Sequence, residues 1–146
     1  MRNRRSVILD RGIAIASGPI LTFSIYLVFA GHNRPGGGFA GGLVAGVLVA
    51  LLAAGGGLDA VKRLIPIRST ALLGLGLSLA AATGFGSMIG GGAFLESGYV
   101  EFEVPLVGTV KAVSATLFDI GVYLTVVGMS LSLIRSMGEV NQGDTP

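Results

Sequence analysis

Cysteine and tryptophan are absent from the 146 residues, and histidine occurs once. Without cysteine the chain has no disulfide, no thiolate nucleophile and no sulfur ligand for a metal. One histidine cannot build a metal site within the chain, so we expect neither a metal nor a cofactor. Charged residues make up 12% of the chain, against about 25% in a soluble domain. The surplus of ten Lys and Arg over eight acids is too small to predict a nucleic-acid partner.

Hydrophobic residues are abundant, at 51% of the chain with a mean hydropathy of +0.79. Four apolar windows cover 90 of the 146 residues and contain one charge, Asp119. The windows are Gly12–Gly31, Phe39–Leu58, Ser69–Leu95 and Ala112–Ile134. Each is long enough to cross a bilayer, which takes about 20 helical residues. The third is expected to lose its helix at the glycine triplet 90–92.

The sequence therefore predicts an all-α integral membrane protein, a single membrane domain over residues 1–146. Its four transmembrane helices are expected at about 12–31, 39–58, 69–92 and 112–134. Both termini and the loop Asp59–Arg68 fall on one side with eight Lys and Arg, whereas the other side holds Arg34 and Lys111. By the positive-inside rule both termini are predicted to be cytoplasmic, in a multi-pass protein of the plasma membrane.

Between the third and fourth windows, the segment 96–104 alternates apolar residues with glutamates. Val100, Phe102 and Val104 alternate with Glu101 and Glu103, which is the period of a strand. We predict a short strand-like loop on the outer side, followed by a turn towards residue 111. Its three glutamates would either raise the local cation concentration at a pore mouth or belong to a solvated acidic loop.

Small residues recur at helical spacing in the second and third windows. They let helix backbones approach closely, which matters in lipid because no hydrophobic force joins helices there. Four short helices have little interior to share, so at least one stripe is expected to face another subunit. The predicted packing residues are Gly42 and Gly46 on the second helix, and Gly74, Ser78, Ala82, Gly86 and Gly90 on the third.

Asp119 is the candidate for an ion-path or relay residue, because an acid inside a span is costly and is usually functional. Tyr123 lies one helical turn further on the same face. The alternative role is a buried acceptor that fixes the fourth helix against a partner. No pair of nucleophile and base, and no pair of acids, supports an enzymatic function.

A tight turn is predicted between the first two helices, because asparagine, proline and a glycine triplet follow one another there. Its residues are His32, Asn33, Pro35, Gly36, Gly37, Gly38 and Phe39. Residues 31–43, GHNRPGGGFAGGL, resemble the GHNxPGGGFxGGL signature of the MnhB/MrpB family. Residues 117–124, LFDIGVYL, are similar to the pattern of that family's last helix.

This resemblance implies an integral membrane protein, the B subunit of a Mrp-type multisubunit sodium/proton antiporter. Its partners would then be the other Mrp subunits and the lipid bilayer, with sodium and protons as the ions that the complex transports. The resemblance implies that the chain is needed for assembly and lines part of an ion path at most. Two alternatives stay open: a homologous subunit of a membrane-bound hydrogenase or respiratory complex, and a stand-alone small four-helix exporter. The exporters of that size place an essential carboxylate in the first helix, and Gly12–Gly31 contains none.

Overall fold

The computed structural model describes residues 7–31, 35–89, 99–104 and 108–143. Its elements in chain order are α1 Val7–Ala30, α2 Gly38–Leu64, α3 Ser69–Ile89, β1 Tyr99–Val104, β2 Gly108–Val113 and α4 Ser114–Gly143. All four helices are long and apolar enough to cross a membrane, which confirms the predicted four-span plan. Which side of the membrane holds the termini stays a prediction.

Helices α1, α2 and α4 each extend past their predicted span at one end or at both, because polar residues beyond the apolar window continue the helix. Helix α1 begins at Val7 and so includes the charged pair Asp10 and Arg11. Helix α4 continues to Gly143 but starts at Ser114, because residues 112–113 belong to β2. The described part of α3 ends at Ile89, and the predicted remainder of that span, including Gly90, lies outside the described residues.

Helix α2 changes direction at Gly57, whose backbone is non-helical with φ 69° and ψ −173°. A side chain there would meet no neighbour, so the positive φ is what favours glycine at this position. The helix resumes to Leu64 with Lys62 and Arg63 exposed and Val61 fully buried. The predicted loop 59–68 is therefore mostly helix, and only residues 65–68 connect α2 to α3.

Strands β1 and β2 form an antiparallel hairpin between α3 and α4. The register pairs Glu101 with Lys111 and Phe102 with Val110. The predicted strand-like segment corresponds to β1, and β2 follows it before the last helix begins. The turn predicted after β1 falls on residues 105–107, outside the described residues.

Helix α4 is central to the helix packing. It packs on both α2 and α3, whereas α1 packs on α2 and touches α4 over a short stretch. The core lies where α2, α3 and α4 meet, and its buried members are Val49, Val61, Leu72 and Leu131. Large apolar side chains cover much of the outer surface, as expected for helices that face lipid or partner subunits.

Backbones touch directly where α3 packs on α4, because glycines leave no side chain between them. A methyl group built on Gly76 would lie 2.6 Å from the Gly121 carbonyl oxygen and 2.6 Å from the Thr125 nitrogen. One built on Gly128 would lie 2.8 Å from the Leu73 nitrogen. Sequence reasoning missed these glycines, although Gly76 and Ala80 have the same four-residue spacing as the predicted stripe.

The predicted stripe on α3 lies on the opposite side of that helix. Gly74 and Gly86 are exposed, and a methyl group at either position would meet nothing within 4 Å. The predicted stripe on α2 packs against α4 of the same chain. A methyl group at Gly42 would lie 2.7 Å from Val126 Cβ, and one at Gly46 would lie 3.2 Å from Ser130 Cβ.

The two faces of α3 allow a matched test of this packing. We expect Gly76→Leu to destabilise the chain by about 1–3 kcal/mol or more, because the new side chain must displace the α4 backbone. Gly74→Leu makes the same exchange two residues earlier on the open face and should leave the thermal midpoint of the purified chain unchanged. Equal shifts in the two variants would contradict the described α3–α4 contact.

Candidate functional site

The two sequence blocks that carry the family resemblance meet in the structure. Asp119 lies in the second turn of α4, five residues after Ser114 and therefore about 7.5 Å along the helix. This is nearer the helix start than the roughly 10 Å expected from a span beginning at residue 112, because the last residues of β2 precede the helix. Its half-buried side chain faces the turn that joins α1 to α2.

Three glycines of that turn surround Asp119. A methyl group on Gly31 would lie 3.2 Å from Asp119 Oδ2, and one on Gly37 would lie 3.6 Å from both carboxylate oxygens. A methyl group on Gly38 would overlap the Asp119 backbone carbonyl. The turn therefore contacts the Asp119 backbone at Gly38 and lies beside the Asp119 carboxylate at Gly31 and Gly37. Any larger residue at Gly38 would separate the two elements.

The backbone of the turn is fixed at Gly37. Its φ of 107° and ψ of 173° fall in a region that glycine alone adopts without strain. The Gly37 N–H donates to the Leu27 carbonyl at 2.8 Å, and the Gly37 carbonyl accepts from the Gly41 N–H at 3.0 Å. The Gly37 N–H thus satisfies one of the unpaired carbonyls at the end of α1, and the Gly37 carbonyl accepts the first backbone hydrogen bond of α2.

A second polar contact joins three helices one turn deeper. The buried Ser24 hydroxyl on α1 donates to the Gly41 carbonyl on α2 at 2.8 Å. The Tyr123 hydroxyl on α4 lies 3.1 Å from Ser24 Oγ. Since serine has one hydroxyl proton and gives it to Gly41, Tyr123 is the donor in the second bond. This series of hydrogen bonds ends at the Gly41 carbonyl, which accepts a hydrogen bond but has no proton to donate.

Other hydroxyls in the spans bond to their own helix. Thr125 donates to the Gly121 carbonyl at 2.9 Å, Ser130 to the Val126 carbonyl at 3.0 Å, and Thr83 to the Leu79 carbonyl at 2.7 Å. These bonds satisfy side chains that would otherwise be unpaired in hydrocarbon.

Of the remaining predicted turn residues, Gly36 lies against the end of α1, where a methyl group would be 2.7 Å from the Leu27 carbonyl oxygen. The other four divide into two groups. His32 and Asn33 lie outside the described residues. Pro35 and Phe39 are exposed, and the Phe39 side chain is 60% exposed. Phe39 therefore points away from this chain, towards lipid or a partner.

Arg135, near the end of α4, joins that helix to the loop between α2 and α3 at the other end of the molecule. Its guanidinium donates to the Ile65 carbonyl at 2.8 Å and to the Ile67 carbonyl at 3.0 Å. These bonds fix the short loop between α2 and α3 against α4. Sequence reasoning counted Arg135 only as a charge that sets orientation, and no local signal predicts a bond to residues so distant along the chain.

Within the described residues, no group of three or more His, Cys, Asp or Glu side chains could hold a metal ion. The site is instead one carboxylate, three glycines and a pair of hydroxyl groups at the junction of α1, α2 and α4. That composition suits the joining of helices.

A family described as "Domain related to MnhB subunit of Na+/H+ antiporter" matches residues 8–132, which reach from α1 into α4. The chain belongs to the MnhB family. Two relatives extend the match over nearly their whole length. One, the Na(+)/H(+) antiporter B subunit of Bacillus subtilis (strain 168), is 41% identical over 91% of this chain and 93% of its own. The corresponding B subunit of Alkalihalophilus pseudofirmus is 37% identical over 95% of this chain and 98% of its own.

A solved structure has the same fold. A chain in the structure of the Mrp complex from Dietzia sp. DQ12-45-1b aligns with a TM-score of 0.75 and 29% identity. The alignment covers 96% of this MnhB-family chain and 15% of the longer chain, so the fold forms one part of a much larger polypeptide there.

The hydroxyl pair of this family member offers a test of the junction. Ser24→Ala and Tyr123→Phe should each lower the free energy of unfolding by about 0.6 kcal/mol and by no more than about 1.7 kcal/mol, the average and the maximum measured for hydrogen bonds between membrane helices. The double variant should lose less than the sum, because both changes remove the same Ser24–Tyr123 bond. Equilibrium unfolding in mixed micelles measures the free energy of unfolding of both single variants and the double variant. Strictly additive losses would contradict the Ser24–Tyr123 hydrogen bond.

Proposed function

We propose that this chain is the B subunit of a multisubunit antiporter that exchanges sodium for protons across the plasma membrane. The near-complete match in length to relatives named as antiporter B subunits carries this proposal. Those names favour the antiporter over the hydrogenase-type subunit and over the stand-alone exporter. The family is one of transporter subunits, and we propose no enzymatic reaction for this chain.

We further propose that the chain contributes chiefly to assembly rather than carrying the ion itself. Several hydroxyl groups in its described spans, among them those of Ser24, Tyr123 and Thr125, are engaged with backbone carbonyls or with one another. A single carboxylate, Asp119, lies within the four apolar windows. A monovalent cation crossing a bilayer needs a series of oxygen ligands or water-filled space, and the closely packed glycine contacts leave little room for either.

The outward face of α3 fits a role in a complex. Gly74, Ser78, Ala82 and Gly86 form a small-residue surface that this chain leaves open, and the larger exposed Leu75, Leu77 and Phe85 lie beside it. A transmembrane helix of another antiporter subunit could approach such a surface closely.

Deleting the chain from its complex tests the proposal. We expect the remaining subunits to lose their large assembly on a native gel and membrane vesicles to lose sodium-driven proton flux. Re-expression of the wild-type chain should restore both. Undiminished flux without the chain would contradict the proposed function. Lost flux with an intact assembly would contradict the assembly role and place the chain in the ion path.

A further inference from the structure

We propose that Asp119 is a positioning residue: its carboxylate, beside Gly31 and Gly37, holds the turn and with it the start of α2 against α4. On this proposal Asp119 supports antiport by fixing the outer end of the helix junction, and its carboxylate transfers no proton. The inference rests on the proposed function and deepens it, because it assigns a role to the one acid inside the apolar windows.

The packing around the carboxylate is the first support. Backbone from both sides of the turn lies beside the half-buried carboxylate, the end of α1 at Gly31 and the start of α2 at Gly37. Both approach so closely that a methyl group would meet a carboxylate oxygen within 3.6 Å. Gly38 touches the backbone of the same residue, so Asp119 contacts the turn through its side chain and its main chain together.

The charge of the site is the second support. Helix α2 begins at Gly38 after the N-cap residue Gly37, which has no side chain to cap the free N–H groups of the first turn. The amino-terminal end of a helix carries a partial positive charge, which a nearby carboxylate compensates. Asp119 stands beside this end, and it comes from α4 rather than from the sequence around the turn. A negative charge supplied from another helix thus lies beside a helix start whose N-cap is glycine.

The neighbouring hydrogen bonds argue against a relay. Tyr123, one turn along α4, is the natural next group for a proton leaving Asp119. Its hydroxyl is bonded to Ser24, and the Ser24 proton is given to the Gly41 carbonyl. Because that carbonyl passes no proton onward, the chain of bonds locks α1, α2 and α4 together. The same three helices are joined by the contacts of Asp119.

Substitution of Asp119 in the assembled complex tests the proposal. Asparagine keeps the shape of the side chain and its packing against the turn, and it loses only the charge, whose contribution beside a helix end is modest. We expect Asp119→Asn to assemble at the wild-type level, to keep at least half of the sodium-driven proton flux and to keep the wild-type profile from pH 7 to 9. We expect Asp119→Ala to reduce the amount of assembled complex at least fivefold. An Asn variant that assembles but loses flux tenfold would overturn the proposal, and so would an Ala variant that assembles normally.

A double-variant cycle keeps the test decisive if Asp119→Ala folds poorly. Gly37→Ala disturbs the same contact from the other side, through the strain of its positive φ. If the two residues act through one contact, the double variant should assemble no worse than the poorer single variant. Losses that multiply would show that the residues act independently, which contradicts the proposal.

Failure of this inference can be distinguished from failure of the proposed function. The wild-type chain, re-expressed in cells that lack it, must restore sodium-driven flux if the proposed function holds. The thermal midpoint of the purified full chain reports on Asp119 without any transport. We expect the midpoint to follow wild type ≈ Asn > Ala there as well, and an Ala variant as stable as wild type would overturn the proposal.

Discussion

Direct contact between backbones is the constraint on which this fold depends. Helix α4 lies between α2 and α3, and glycines on both of its faces remove the side chains that would hold the helices apart. Lipid offers no hydrophobic force to drive such helices together, so close van der Waals contact and buried hydrogen bonds must do it. A helix with bulky residues at Gly121 or Gly128 would meet the α3 backbone and lose this contact.

The same constraint organises the polar site. Once α2 lies close to α4 at Gly42 and Gly46, its first turn comes against Asp119. Gly41 likewise lets α2 approach α1, which brings the Gly41 carbonyl within reach of Ser24. Polar groups that would be costly in hydrocarbon are therefore paired at helix junctions. The arrangement joins α1, α2 and α4 at one end of the molecule, and Arg135 joins the α2–α3 loop to α4 at the other.

The sequence alone predicted the number of helices, because apolar windows of this length without charge are typical of transmembrane helices and rare in soluble domains. It placed helix ends less well, since polar residues such as Asp10 and Lys62 continue a helix beyond the apolar window. It also could not decide which face of α3 packs inside the chain. The stripes that contain Gly74 and Gly76 have the same spacing, and only the position of α4 distinguishes them.

The meeting of Asp119 with the glycine turn could not be predicted from the residues themselves. The two segments lie more than 80 positions apart, and neither carries a local pattern that specifies the other. The family resemblance marked both segments as important without relating them. Their contact changes the interpretation of Asp119 from an isolated intramembrane acid to one part of a helix junction. A fixed junction of this kind is consistent with a subunit that supports its partners.

Locking α2 to α4 tests most directly whether the chain is a static support. The chain has no cysteine of its own, and a methyl group at Gly46 would lie 3.2 Å from Ser130 Cβ, close to the ~3.8 Å between Cβ atoms in a disulfide. In the complex carrying Gly46→Cys and Ser130→Cys, we predict that oxidation links the two positions and leaves sodium-driven proton flux at its reduced-state level. Flux that disappears on oxidation and returns on reduction would show that these helices move during transport, which contradicts the account.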